Sequence, residues 1–221
     1  MLRRHVLAFT AAGWVLSLGL NGRETRAQGA NLAHAAADFI RSLARQAIDS
    51  LTGPNISDAR RKEQFRALLN AAFDVPLLGQ FALGRYWRVA TDSERAEFML
   101  LFEESLVVNY ADRFKDYAGE KLRIVQARPL QNDEVLVNSE LPRAGAAATR
   151  VGWRVRRYDN TFKVIDVIVE GVSMAITTRD DYGALIQRAG GRVVALLSSL
   201  REKNLPPPPP ARSPPAMPSE R

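Results

Sequence analysis

FKVIDVIVEGVSMAITTR, residues 162–179, is apolar at nearly every position up to Val169 and then breaks at Gly171-Val172-Ser173-Met174. A strand with one wet face alternates apolar and polar side chains, whereas a strand covered on both faces does not. Strict alternation sets Phe162, Val164 and Ile168 on one face and Ile165, Val167 and Val169 on the other, so the stretch predicts a strand that meets apolar material on both sides. Asp166 stands in its middle. A carboxylate there either fixes the strand by accepting hydrogen bonds from nearby backbone or an arginine, or has a raised pKa suited to proton abstraction.

Upstream the period is two. Leu122 and Ile124, then Val135 and Val137, then Val151, Trp153 and Val155 alternate with polar residues, with turn signals at 129–133, 142–145 and 159–160. This is the pattern of an antiparallel meander. In its third strand Arg150, Arg154 and Arg156 fall opposite Trp153, which predicts a wet outer face.

Farther upstream the period becomes helical. Leu32, Ala36, Phe39, Ile40, Leu43, Ala47, Ile48 and Leu51 share a stripe over 31–51, closed by Gly53-Pro54. Ser57 and Asp58 open a second helix carrying Phe65, Leu68 and Leu69, and its Arg60-Arg61-Lys62 run reads as a solvated face. A short helix is expected over 77–83. Thr91-Asp92-Ser93-Glu94 has the spacing of a capping box and starts a long aromatic-faced helix expected to run to Gly119. After the sheet, two helical pieces flank Gly190-Gly191. The fold class is therefore α+β: a single domain in which N-terminal helices and a long helix pack on a curved antiparallel sheet of about four strands, with C-terminal helices behind.

At the start of the 221-residue chain, Arg3 and Arg4 precede the apolar run from Val6 to Leu20 and a small-residue end at Ala27. This order matches a secretory signal, residues 1–27, because the run falls short of the roughly 20 apolar residues that span a bilayer. The paired arginines fit the general and the twin-arginine export routes alike. Without the leader, which holds Arg3, Arg4, Arg23 and Arg26 against Glu24, the formal charge drops from +7 to +4. That balance does not mark a nucleic-acid binder. The domain is expected over 28–203, and the proline-rich 204–221 as a tail that packs no core.

The chemistry is sparse. With His5 and His34 as its only histidines and no cysteine, the chain lacks the parts of a Ser-His-Asp triad, a multi-histidine zinc site or a thiol centre. Glycine patterns that cradle phosphates are missing. An enzymatic alternative would be a small cone-shaped α+β fold with Asp166 as general base.

Two blocks carry a family resemblance. FALGRYWRVATDSERAEFMLLFEESL, residues 81–106, resembles the Leu-Gly, aromatic pair and Ala-Thr-x-x-x-Arg segment of the MlaC family of periplasmic phospholipid-binding shuttle proteins, and VIDVIVEGVSMAITTRDDYGALIQRAGG, residues 164–191, is similar to its Asp-x-x-x-Glu-Gly-Val-Ser signature. A hopanoid-associated branch fits the first block equally well.

The resemblance implies a non-enzymatic lipid carrier in the periplasm that needs no cofactor. It implies acyl chains held between sheet and helices, and exchange with an inner-membrane ABC transporter complex and an outer-membrane lipoprotein complex. Candidate wall residues on the helices are Phe73, Leu78, Phe81, Tyr86, Trp87, Phe102 and Tyr110. On and after the sheet they are Trp153, Val172, Met174 and Ile176, with Arg85 and Arg88 as headgroup contacts and Asp166 as a brace.

Overall fold

The structure, a computed structural model, describes residues 21–53, 55–117, 119–143, 145–159 and 161–204. The apolar run of the expected leader and the proline-rich tail lie outside them. Six helices and a five-stranded antiparallel sheet follow in the order α1 (Asn21–Leu51), α2 (Asp58–Ala72), α3 (Val75–Leu83), α4 (Asp92–Tyr110), β1 (Arg123–Pro129), β2 (Glu134–Arg143), β3 (Ala146–Tyr158), β4 (Thr161–Val169), β5 (Val172–Ser173), α5 (Met174–Arg188) and α6 (Val193–Asn204). The α+β expectation holds, with a two-residue fifth strand added to the expected four.

Local chemistry sets the helix ends. Ser57 accepts from Arg60 N–H at 3.2 Å to start α2, and Asp74 accepts from Leu77 N–H at 3.0 Å to start α3, two residues ahead of the expected helix. Thr91 and Glu94 form the full capping box at α4, with Thr91 N–H donating to Glu94 Oε2 at 2.8 Å and Glu94 N–H to Thr91 Oγ1 at 3.2 Å. α4 ends earlier than its aromatic pattern predicts, passing into a 3-10 turn over Ala111–Phe114. In the other direction, α1 begins at Asn21, well ahead of the expected start.

The basic run of α2 needs a correction. Arg61 is buried at 5% exposure. Its guanidinium donates to Leu51 O at 3.1 Å and Ile56 O at 3.3 Å and pairs with Asp58 at 3.0 Å, so it caps the carbonyl end of α1 and closes the α1–α2 turn. Helical spacing places its Cα on the polar side, but a long guanidinium reaches acceptors that its Cα position does not reveal.

β1 to β5 pair in sequence order. Partners across the ladder share a face, so Ile124, Ser139 and Val151 lie together, as do Ala127, Val137 and Trp153, and Val135 and Val155. α1 covers this inner face through Ala33, Ala36, Ala37, Ile40 and Leu43. The outer face is polar as expected, and Arg154 and Arg156 there hold Glu134, each at 2.6 Å. Glu134 is only 2% exposed, so the carboxylate is buried by the arginines that neutralise it.

β4 departs from strict alternation. Val155 pairs with Val164, but Arg154 pairs with Asp166, which leaves Ile165 as an extra residue opposite one step of β3. This bulge moves Val167 and Val169, the partners of Trp153 and Val151, onto the same inner face as Phe162 and Val164. The expected two-face division of the strand is thereby corrected. One face gathers most of its apolar side chains, and Asp166 and Ile168 go to the other.

Two cores result. The sheet core joins α1 to Val135, Val137, Val155 and Val164. The helical core joins α2 through α6 around Phe98, Phe102, Ile186, Leu196 and Leu197, with the Phe98 and Phe102 rings stacked at 5.7 Å. Phe73 packs against both. At this seam Asp74 N–H donates to Val164 O at 3.0 Å, Lys163 Nζ to Ala71 O at 2.7 Å, and Tyr158 OH to Asp74 Oδ2 at 2.6 Å.

Candidate functional site

The inner face of the sheet extends past the area packed by α1. Trp153 and Val167 sit at the margin of the sheet core, half-buried. Beyond them Val151 and Val169 are half-buried and Leu141 and Val172 exposed, and none of the four belongs to either core. The register places all four on the inner face: Leu141 is two positions beyond Ser139, Val151 pairs with Val169, and Val169 pairs with Val172. The polar atoms beneath are satisfied locally, since Trp153 Nε1–H donates to Ser139 Oγ at 2.9 Å and Ser139 Oγ–H to Val151 O at 2.9 Å. The strip is therefore apolar towards its open side, a surface suited to hydrocarbon rather than to a reacting polar group.

Of the residues expected to line a cavity, several are placed at the join of the layers. Phe73 bridges the two cores, Leu78 packs on the helical core, Trp153 is on the inner face, and Met174 is half-buried at the start of α5. Tyr86 and Phe102 are interior to the helical core at 8% and 4% exposure. Trp87 is held beneath Arg95, whose Nε–H donates to the Trp87 carbonyl at 2.8 Å. Phe81, Tyr110, Val172 and Ile176 are exposed. Arg85 lies over the Tyr86 ring and donates to Tyr86 OH at 2.8 Å, and Arg88 is exposed. The sequence reading missed Val151 and Leu141, which periodicity marks only as ordinary strand residues.

The surface depressions among the described residues include two beside the helices. One, of about 300 Å³, lies between α5 and α6 beside Tyr182, Leu185 and Leu196; the other, of about 330 Å³, lies beside Arg61, Phe114 and Lys115. None of the expected lining residues borders either. The candidate residues pack in the cores or at their join, or are turned to solvent.

His34 is exposed and pairs with Asp38, and among the described residues no group of three or more histidines or carboxylates is placed to hold a metal ion. No described helix is long and apolar enough to cross a membrane.

The family described as MlaC protein matches residues 41–202 of the chain. The chain belongs to the MlaC family. The intermembrane phospholipid transport system binding protein MlaC of Haemophilus influenzae is 24% identical over 116 residues, which is 51% of this chain and 54% of that protein. The alignment thus spans about half the length of this curated relative. A solved phospholipid-binding protein from Ralstonia solanacearum, in complex with a phospholipid, shares the fold with a TM-score of 0.66 at 20% identity, over 76% of this chain and 96% of that one.

In this member of the MlaC family, the Asp-x-x-x-Glu-Gly-Val-Ser signature joins sheet to helix. Asp166, 8% exposed, accepts Ser173 Oγ–H at 2.6 Å and Ala175 N–H at 3.1 Å. Ser173 Oγ accepts in turn from Ile176 N–H at 3.1 Å as the N-cap of α5. Both carboxylate oxygens are thus engaged, as a brace requires.

Glu170 and Gly171, with φ of 49° and 85°, make the two-residue hairpin turn that calls for positive φ at both positions. The Glu170 carboxylate accepts Arg150 N–H at 2.6 Å and its guanidinium at 3.1 Å, and these bonds, the backbone one first, hold it below the usual carboxylate range. Each residue of the signature therefore helps to set Val169 and Val172 at the open end of the strip.

Proposed function

We propose that this chain is an exported lipid carrier that shelters phospholipid acyl chains against the inner face of its sheet and exchanges them with membrane-bound complexes at the inner and outer membranes. Residues 28–203 form the carrier once the leader is removed. The observation that carries the reading is the strip Leu141, Val151, Val169 and Val172, which continues the α1-packed face yet has no core over it. Family membership and the shared fold with a phospholipid complex support it.

Energetics define the kind of protein required. Exposing acyl chain to water costs about 0.8 kcal/mol per methylene, so two long chains cost more than about 20 kcal/mol. A carrier must therefore cover them, and depressions of about 300 and 330 Å³ stand at the low end of the roughly 300–1,000 Å³ of small-molecule sites. Loading requires cover over the open strip while the bonds near Phe73 hold the two layers together. Because a bilayer offers hydrocarbon an equal reward, direction comes from the partner complexes.

Native mass spectrometry of the chain purified from the periplasm tests this. Co-purifying phospholipid is expected, and extraction of hopanoid-type lipid in its place would change the ligand while keeping the site. Val169→Glu, a carboxylate on the strip, is expected to abolish loading in folded protein. Undiminished loading of that variant would sink the assignment.

A further inference from the structure

Around the α3–α5 contact the surface is both apolar and basic. Phe81 on α3 is 39% exposed, Ile176 in the first turn of α5 is 46% exposed, and Val172 in the preceding hairpin is 53% exposed. Arg179, one turn after Ile176, ties them together. Its Cγ lies 3.3 Å from where a Cβ on Gly84 would stand, so the stem crosses the backbone there, and its guanidinium is 5.1 Å from the centre of the Phe81 ring. The polar end of a long stem thus rests on an aromatic face at the edge of solvent, the arrangement of a side chain that snorkels.

Charge is one-sided here. Arg85 reaches from the 3-10 turn (Gly84–Arg88) to Gln187 on α5, at 3.4 Å, and Arg88 is exposed at the end of the same turn. Arg150 borders the hairpin, its side chain 74% exposed. The carboxylates of this face are Asp180, paired with Arg179 at 3.0 Å, and Glu170, paired with Arg150 at 3.0 Å. Asp181 lines the α5–α6 depression instead. Arg85, held by Tyr86 OH and Gln187 rather than by a carboxylate, is left as excess positive charge.

We propose that this face docks on an anionic phospholipid bilayer, with Val172, Ile176 and Phe81 entering the headgroup–acyl boundary and the arginines meeting lipid phosphates. An acidic protein fits less well. The three apolar side chains come from a hairpin, a helix start and a helix end, separate protrusions rather than one continuous element. Protruding apolar groups flanked by arginines suit a soft interface whose phosphates adjust to them. The docking does not depend on the interior strip holding lipid.

Vesicle co-sedimentation of the full chain provides the test, with phosphatidylglycerol-containing and pure phosphatidylcholine vesicles compared at low and high salt. Partition into the anionic vesicles is expected, weakening with salt. Arg179→Ser is expected to lower it by about fivefold, the weight of one basic side chain at an anionic surface, and Ile176→Asp by at least as much.

Ile176→Asp places its carboxylate in the first turn of α5, where the helix end favours it, so folding is retained; Arg179→Ser decides alone if it is not. Lipid content by native mass spectrometry is expected to stay at the wild-type level in Arg179→Ser, which separates docking from loading. Equal partition into both vesicle types, binding by the variants equal to the parent, or association only with an acidic protein and with neither vesicle would each overturn the proposal.

Discussion

Replacing Asp166 by alanine and, separately, by asparagine distinguishes a brace from a reactive carboxylate. The alanine variant loses the bonds from Ser173 Oγ–H and Ala175 N–H and leaves the latter, one of the unpaired donors at the start of α5, without its acceptor. Hydrogen bonds to a charged group contribute about 1.5–3 kcal/mol each. The two share one carboxylate, and Ser173 still caps α5 through Ile176, so the expected loss is about 3 kcal/mol, the low end of a simple sum of about 3–6 kcal/mol. For a domain of this size that is roughly 6–12 °C in Tm.

Asparagine keeps an acceptor for Ala175 and offers an amide donor to Ser173 Oγ. It loses mainly the charge near a helix N-terminus, about 1 kcal/mol. Urea unfolding of the three proteins reads the stabilities, and native mass spectrometry reads the lipid content of the folded fraction. The expected ranking is parent, asparagine, alanine, with lipid content unchanged. An asparagine variant as stable as the parent but stripped of lipid, or an alanine variant that loses less than about 1 kcal/mol, would refute the brace.

Two further outcomes follow from buried polar groups. Arg61→Met leaves Leu51 O and Ile56 O without their donor and is expected to cost about 2–3 kcal/mol, seen as a lower urea midpoint, whereas Arg60→Met on the exposed side changes little. Burial raises the pKa of Tyr182, a shift partly opposed by a hydrogen bond with Ser105. Its stabilising effect is therefore complete below the unfolded value near about pH 10 and is lost as pH rises through the folded value. Tyr182→Phe is expected to flatten, though not abolish, the alkaline fall of the urea midpoint, because burial raises Tyr158 in the same direction.

The helices were legible where end chemistry is local. Ser57 and the Thr91–Glu94 box mark helix starts that the structure reproduces. The meander was legible from its period of two, and the wet outer face from Arg150, Arg154 and Arg156. Three features were not. Arg61 stands among polar residues on its helix, and its burial depends on carbonyls brought near only by the α1–α2 turn. The Ile165 bulge leaves hydrophobicity unchanged, so no pattern of residue types announces it. The division into two cores arises because α1 takes the sheet for itself, which places Tyr86 and Phe102 among helices and leaves Phe81, Val172 and Ile176 on the surface.

Ile165 also bears on how this strand tolerates change during evolution. Deleting it would remove the bulge yet leave Asp166 opposite Arg154 and Val167 opposite Trp153, so every later residue would keep its face; drawing it into the regular ladder opposite Arg154 would instead send Val167 and Val169 outward and Asp166 inward. What selection must keep is the pairing of Asp166 with Arg154, which holds with one residue or none between Val164 and Asp166. A gap at this point in a homologue would mark a strand that has lost its bulge and kept its inner face.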